Sequence, residues 1–348
     1  MSTFYKVKVK EVKKETADAV SVVFDIPENL KTEFDFFAGQ YITLQKKING
    51  EEIRRAYSIC STPSSNEVRV AIKTVEKGVF SVYATSVLKV GDFIEISAPE
   101  GRFLLNSEAS KDYLGFAAGS GITPILSMLK TVLETETNAT FTLIYGNKTI
   151  VDTIFFDELN RLKETFPERF NLHFIYSREN VKNGLRGRID ENVTNYFVKN
   201  MYKETSFSAA YLCGPEEMIK NVSKTLEKNN ISKNSIHFEL FTVSVDQEKT
   251  NQIKEGTSEV TVLLDDEKSI FIMQQSDDLL AASLRNDLDA PYSCQGGVCS
   301  SCLAKVIEGK AVMLKNSILT DGEVADGLIL TCQAHPTTSK ITIDFDDV

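Results

Sequence analysis

The chain has 348 residues, of which 42% are hydrophobic and 25% charged, with a formal net charge of −10 at pH 7. That length exceeds one compact core and predicts two or three domains of ordinary size. The acidic balance excludes a broadly basic nucleic-acid surface. No apolar run approaches the ~18 residues of a membrane span, and Met1–Lys14 lacks the apolar stretch of a secretion signal. The expectation is a cytoplasmic protein with neither nucleic acid nor membrane as partner.

In chain order, the segments FYKVKVKEV, AVSVVFDI, YITLQ, VRVAIKTV and DFIEISAP alternate apolar and polar residues, which predicts strands of a compact antiparallel β-barrel. Within them lies RRAYSIC (Arg54–Cys60). On a strand, Arg55 and Tyr57 share one face and Ser58 takes the other. The planar guanidinium suits a pyrophosphate, and an aromatic face suits a stacked ring system. KGVFSVY (Lys77–Tyr83) then places Gly78 and Ser81 at the start of a short helix, where backbone N–H groups favour an anion.

From Tyr113 the pattern changes to strand and helix in alternation: YLGFAA, ITPILSMLKTVLE, TFTLIYG, FFDELNRLKETF, LHFIYS. This order predicts an α/β domain with a doubly wound parallel sheet. Its first turn, AGSGITP (Ala118–Pro124), offers Gly119 and Gly121 for close approach to phosphate and Thr123-Pro124 at the helix opening. It is not G-x-G-x-x-G, and no acid ends the following strand, so the common dinucleotide fingerprint fails. Ser177 and Arg178 in YSREN, with Arg186 and Arg188 nearby, suit a ribose 2′-phosphate and favour NADPH over NADH.

Thr242–Ser258 is polar and free of aromatics, and is read as a linker. Beyond it, EVTVLL and SIFIM predict strands, DDLLAASLRND a helix, CLAKVIEG a strand, and ITIDF a closing strand. Six cysteines are present, and four of them crowd this C-terminal part. Three lie in PYSCQGGVCSSC (Cys294, Cys299, Cys302) and the fourth, Cys332, in LTCQAHP. A disulfide cluster, a zinc knuckle and an iron–sulfur cluster compete for them. A reducing compartment disfavours the first. Zinc sites usually carry two short C-x2-C pairs, and only one is present. C-x4-C-x2-C with a distant fourth cysteine is the plant-type [2Fe–2S] spacing, with Gly296 and Gly297 letting the loop wrap closely.

Together these motifs resemble the ferredoxin–NADP reductase superfamily, in its members with a C-terminal plant-type ferredoxin domain of β-grasp (α+β) fold. The likeness covers essentially the whole chain. It rests on RRAYS with the glycine-serine turn, on CGPEEM (Cys213–Met218), on HFELF (His237–Phe241) and on the four-cysteine spacing. One departure is Ala38-Gly39-Gln40, where the family often has Pro-Gly-Gln.

The resemblance implies a three-part order: an FAD-binding barrel over 1–108, a nucleotide domain over 109–241, a linker over 242–256 and a ferredoxin domain over 257–348. It implies that Arg55 meets the FAD pyrophosphate, Tyr57 stacks on the flavin ring, Ser58 bonds its reactive edge and Ser81 touches phosphate, with Lys73 and Gly78 in the same set. Cys213, Gly214 and Pro215 would line the nicotinamide, and Glu239 and Phe241 the flavin's far side. Electrons would pass from NADPH (or NADH) to FAD, then singly to the [2Fe–2S] centre and on to an oxygenase component. In one branch that acceptor is a di-iron oxygenase that converts the ring of phenylacetyl-CoA to an epoxide. Other members serve ring-hydroxylating dioxygenases, fatty-acyl hydroxylases or desaturases, or the hybrid-cluster protein. A redox-sensing iron–sulfur module without turnover is the alternative of another class. The three histidines, His173, His237 and His335, are scattered and read as structural.

Overall fold

A computed structural model describes residues 3–106, 111–181, 185–242, 247–253 and 255–348. By contact the chain separates into two compact units: Phe4–Ile53 with Tyr57–Phe241, and Thr242–Val348 with the short pieces Met1–Thr3 and Arg54–Ala56.

The N-terminal part of the chain forms six antiparallel strands: β1 (Phe4–Thr16), β2 (Ala19–Asp25), β3 (Tyr41–Ile48), β4 (Glu51–Ser58), β5 (Val68–Lys73) and β6 (Phe93–Ser97). Their order is β4-β3-β6-β1-β2-β5. The sheet closes on itself where Ile59, just past β4, bridges Val70 of β5, and a closed sheet has no exposed edge. Alternation decides the inside: Val7 and Val9 are buried while Lys6, Lys8 and Lys10 face solvent. Between β5 and β6 runs the short helix α1 (Val79–Ser86). At Ala38-Gly39-Gln40 the missing proline is replaced by other constraints. The Gln40 side chain accepts the Phe37 N–H at 2.9 Å, and Gly39 has φ +106° with a Cβ position only 1.9 Å from the Phe103 carbonyl oxygen.

The larger unit continues with β7 (Asp112–Ala118), α2 (Ile122–Thr135), β8 (Thr140–Asn147), α3 (Phe156–Thr165), β9 (Phe170–Tyr176), β10 (Leu185–Arg186), α4 (Glu191–Asn195, prolonged by a π turn over Tyr196–Met201), β11 (Phe207–Cys213), α5 (Glu216–Lys228) and β12 (Ile236–Glu239). The sheet is parallel in the order β10-β9-β8-β7-β11-β12. Its direction of winding reverses between β7 and β11. Crevices at such switch points, outside the carboxyl ends of the strands, are where open α/β sheets bind ligands.

Barrel and sheet share one apolar core, in which Ala38, Cys60, Ala71 and Phe103 pack with Ile125, Met128 and Leu129 of α2. Polar bonds cross the same junction. Arg69 of β5 donates to Glu158 Oε1 of α3 at 2.9 Å, and Lys130 of α2 reaches the same oxygen at 3.1 Å. All three side chains are largely buried.

Burial raises the Glu158 carboxyl's pKa, but the hydrogen bond and charge of Arg69, with Lys130, outweigh it and hold the group below its ordinary value. A carboxyl lowered on folding stabilises the native state above its unfolded pKa, and that stabilisation disappears as pH falls through the folded value. Glu158→Gln is therefore expected to cost about 3 kcal/mol near neutral pH, as when a buried ion pair loses a partner. The difference in apparent Tm between the two proteins should close as the buffer is taken below the carboxylate range. A difference independent of pH would assign the effect to packing instead.

The smaller unit holds α6 (Gln247–Thr250), β13 (Thr257–Leu264), β14 (Glu267–Gln274), α7 (Leu279–Arg285), β15 (Leu303–Glu308), β16 (Ala311–Met313), α8 (Asp321–Ala325), β17 (Leu328–Leu330), β18 (Ala334–Pro336) and β19 (Lys340–Asp344). A mixed sheet runs β14-β13-β19-β15-β17, with β13 and β19 parallel, and β16 pairs with β18. This is the expected β-grasp plan. The helix begins two residues later than the apolar pattern suggests, because Asp278 caps it by accepting the Ala281 N–H at 2.8 Å. The linker reading over-reached at its end: Thr257 and Ser258 already belong to β13, and the buried Ser258 hydroxyl donates to the Thr338 carbonyl at 2.6 Å. Residues 243–246 and 254 of that segment, and the 108/109 boundary, lie outside the described residues. No described helix is long and apolar enough to cross a membrane.

Candidate redox-cofactor sites

The RRAYS residues occupy the end of β4. Ser58 is buried and its hydroxyl donates to Glu239 Oε2 at the end of β12, 3.1 Å away. Tyr57 is half-buried, with its ring 5.8 Å from Phe80 of α1. Arg55 stands two residues before it on the strand, half-buried, and donates to the Arg54 carbonyl at 2.6 Å. Lys73 ends β5, 3.7 Å from Asp18.

At the head of α1, Gly78 is the N-cap and no side chain caps the helix, so its first N–H groups lack the usual intramolecular acceptor. The Ser81 hydroxyl is used within this turn: it accepts the Val75 N–H at 3.1 Å and donates to the Gly78 carbonyl at 3.3 Å. A Cβ at Gly78 would lie 2.5 Å from Ser81 Oγ. Ser81 thus shapes the cradle. By contrast α4, α7 and α8 are capped by Asp190, Asp278 and Thr320.

The second constellation sits at the switch point. Gly119 has φ +55° and open space where a Cβ would stand, which fits a phosphate brought close to backbone. Gly121 is the N-cap of α2, again without a side-chain cap. Its Cβ position falls 2.1 Å from the Cys213 carbonyl oxygen and 2.9 Å from the Gly214 nitrogen. The AGSG turn and the CGP turn therefore meet backbone to backbone, which distance along the chain conceals. Thr123 is buried and donates to the Ser120 carbonyl at 3.0 Å, holding the turn. Pro215 is the N-cap of α5.

Cys213 ends β11, in register with Ala117 and Glu239 on the flanking strands. Burial, with Glu239 nearby, pushes its pKa well up, so it stays a neutral thiol. Phe241, two residues past β12, is exposed. At the outer carboxyl edge, Ser177 donates its N–H to the Asn147 carbonyl at 3.0 Å, and Arg178 its N–H to that of Lys148 at 2.9 Å. The two-residue β10 pairs Arg186 with Tyr176, bringing Arg186 and exposed Arg188 to the same edge as exposed Arg178. Glu179, the one acid of YSREN, is turned onto the Ile150 N–H at 2.8 Å.

In the smaller unit the four cysteines gather in two pairs, Cys294 with Cys299 at 3.1 Å and Cys302 with Cys332 at 3.3 Å between sulfurs. None is disulfide-bonded. Among the described residues no group of three or more His, Cys, Asp or Glu is placed to hold a single metal ion. Two pairs instead match a two-iron cluster, in which each iron takes two thiolates. The Cys294 pKa is lowered to about 7 by the Cys299 hydrogen bond, against burial and with help from the Gly296 N–H, which lies 3.3 Å from the Cys294 sulfur. Cys332 is lowered in the same way by Cys302, while Cys299 and Cys302 are raised as the donors.

Gly297, at φ +72°, passes so near the Lys315 carbonyl oxygen (2.9 Å from its Cβ position) that a side chain would not fit. Sequence reasoning missed Gln333, which donates to the Gln295 carbonyl at 3.1 Å and to the Cys332 carbonyl at 2.8 Å, joining the two cysteine segments. Only its place beside Cys332 could have signalled it.

Three family models match in the same order: an oxidoreductase FAD-binding domain over residues 6–104, an oxidoreductase NAD-binding domain over 116–224, and a 2Fe-2S iron-sulfur cluster binding domain over 263–337. One component of 1,2-phenylacetyl-CoA epoxidase from Escherichia coli (strain K12) is 37% identical over 351 residues, covering 99% of both chains. The chain belongs to the ferredoxin–NADP reductase superfamily, among the members with a C-terminal [2Fe–2S] domain.

The ferredoxin reductase component of 3-ketosteroid-9-alpha-monooxygenase from Rhodococcus rhodochrous is 30% identical to this reductase over 348 residues, covering 97% of this chain and 95% of that one. The solved structure of phthalate dioxygenase reductase has the same fold, with a TM-score of 0.66 at 22% identity over 98% of each chain. The reductase is accordingly an NAD(P)H-dependent oxidoreductase using FAD and a [2Fe–2S] cluster, and the residues just described fit those groups. Several of its relatives are reductase components of monooxygenases.

Proposed function

We propose that this reductase takes electrons from NADPH and delivers them, in the cytoplasm, to the di-iron oxygenase of a phenylacetyl-CoA epoxidase. The observation that carries the reading is end-to-end identity of 37% with a component of that system. Residues 1–108 would serve FAD, 109–241 the nucleotide and 257–348 the cluster, joined through 242–256. The bound groups supply hydride acceptance and one-electron transfer, and the protein supplies orientation and electrostatics.

In this reading Arg55 and the uncapped head of α1 hold the FAD phosphates, with Gly78 and Ser81 shaping that cradle and Lys73 beside it. Tyr57 stacks on the flavin ring. Ser58, oriented by its bond to Glu239, faces the reactive edge and can hold a proton there, while Phe241 covers the far side. Gly119, Gly121 and Thr123 seat the nucleotide phosphates. Cys213, Gly214 and Pro215 bound the nicotinamide, with the neutral thiol excluding water. Cys294, Cys299, Cys302 and Cys332 ligate the two irons.

NADPH is preferred because Glu179, the acid that would bond a ribose 2′-hydroxyl, is engaged by Ile150, leaving Ser177, Arg178 and Arg188 at that edge. A charge-assisted hydrogen bond contributes about 1.5–3 kcal/mol. Arg178→Ala should therefore raise KM for NADPH by roughly 10- to 100-fold and leave NADH kinetics nearly unchanged. Equal losses with both nucleotides would assign Arg178 to the scaffold.

The partner is tested by mixing the reductase with a purified di-iron epoxidase component and phenylacetyl-CoA, then following NADPH oxidation and product. Absence of both stimulation and product would reject this acceptor. An oxygenase of another class is the second reading, favoured by the 30% identity with the 3-ketosteroid-9-alpha-monooxygenase reductase. The same assay with that oxygenase separates the two.

A further inference from the structure

Two fastenings tie the flavin side of the larger unit to its nucleotide side, and both start from residues that hold each other. Ser61 lies three positions beyond Ser58. Its hydroxyl donates to the Glu67 carbonyl at 2.5 Å and accepts the Arg69 N–H at 3.1 Å. The Arg69 carbonyl accepts the Cys60 N–H at 2.8 Å. From this knot the Ser61 carbonyl takes the Ser127 hydroxyl of α2 at 2.6 Å, and the Arg69 guanidinium takes Glu158 of α3. Lys130, one turn from Ser127 on α2, shares the same Glu158 oxygen. Helix α2 starts at Ile122, directly after the glycine pressed against Cys213. A shift of this knot therefore moves the end of β4 relative to the nicotinamide turn.

The chemistry is more demanding than a static brace requires. Arg69 Nε is buried without a hydrogen-bond partner, and the guanidinium carbon stands 5.1 Å from the Phe155 ring centre. One carboxylate oxygen thus faces two largely buried cations. Replacing a buried ion pair by an apolar contact of equal volume is often neutral or stabilising, so the presence of this one points to a geometric rather than an energetic use. Hydride transfer has such a geometric need, since a misplacement of about 1 Å can cost roughly 10²-fold in rate.

We infer that Glu158, held between Arg69 and Lys130, is a positioning residue for hydride transfer, setting the flavin-bearing strand against the nicotinamide turn. The inference rests on the flavin and nicotinamide placements proposed above. The test compares wild type, Glu158→Gln, Arg69→Lys and Ser127→Ala as holoproteins. One arm is stopped-flow flavin reduction by NADPH and by its 4-deuterated form. The other is amide hydrogen exchange of the peptides spanning Ile59–Thr62 and Gly119–Ile125.

Glu158→Gln is expected to slow flavin reduction about 10- to 100-fold with little change in the NADPH Kd, to alter the deuterium isotope effect, and to speed exchange in those two peptides. Arg69→Lys, which keeps the charge facing Glu158, should lose less than Glu158→Gln. Ser127→Ala, which removes one hydrogen bond, should shift both readouts mildly in the same direction, and decides the matter if Glu158→Gln does not fold. Lower Tm with wild-type reduction rates and exchange would overturn the inference and leave the triad as a brace. A wild type whose flavin NADPH cannot reduce would sink the underlying placement, and exchange would then judge the fastening alone.

Discussion

Cys332→Ala should yield a protein whose flavin is still reduced by NADPH but which passes almost nothing to a one-electron acceptor protein, a loss of at least about 10²-fold. The reason is the pairing of sulfurs. Cys332 and Cys302 form one of two dithiol pairs, and, with the pairs ligating the irons as proposed, removing Cys332 would leave one iron with a single protein ligand where it needs two. The visible spectrum should keep its flavin bands and lose the [2Fe–2S] absorbance. Cys302 and Cys332 also belong to the apolar core of the smaller unit, so loss of the cluster should lower that unit's melting temperature, as when metal binding and folding are coupled. Retained iron and retained acceptor turnover in Cys332→Ala would remove this cysteine from the ligand set. A zinc content in place of iron would overturn the cluster assignment itself.

The second large effect is expected at Gly121. Its backbone, with φ −62° and ψ −6°, is one that alanine adopts freely, so conformational strain is not the issue. Space is the issue: the added carbon would stand 2.1 Å from the Cys213 carbonyl oxygen and 2.5 Å from its carbonyl carbon. These are backbone atoms at the end of a central strand, and they cannot swing aside as a side-chain tip would. Gly121→Ala must therefore push the AGSG turn away from the CGP turn. Overpacking of this kind costs about 1–3 kcal/mol, and displacement of the turns proposed to seat the nicotinamide should reduce the rate of hydride transfer roughly 10²-fold. Reduction of flavin and cluster by dithionite should be normal, because neither is touched. Gly119→Ala makes the contrast, with open space around its Cβ but φ +55°. A left-handed alanine costs roughly 1–2 kcal/mol, and its methyl group would obstruct the phosphate more than the protein. If NADPH reduced Gly121→Ala at the wild-type rate, the meeting of the two turns would not be the seat of the nicotinamide.

Several elements were legible because their signals are local. Alternation in FYKVKVKEV decides which β1 residues enter the barrel, and C-x4-C-x2-C identifies a cluster loop by spacing alone. The helix start at Asp278, the start of β13 at Thr257 and the turn at Gly39 were misjudged or under-read, since each depends on a bond or close approach that apolar periodicity does not encode. The same holds for Gln333 and for the Arg69–Glu158–Lys130 triad, whose partners lie far apart in the chain.

By itself, then, the amino-acid sequence determined the three-part order of flavin, nucleotide and iron–sulfur segments, because strand alternation, glycine turns and cysteine spacing act over a few residues. The tertiary structure alone decided that the AGSG and CGP turns touch, that Ser58 meets Glu239, that Glu179 is turned onto the Ile150 N–H and that the four thiols form two pairs. Those are contacts between segments distant in the chain. The two turns meet only once β7 and β11 lie side by side in one sheet, and the Cys302–Cys332 pair forms only once the two cysteine segments are folded against each other.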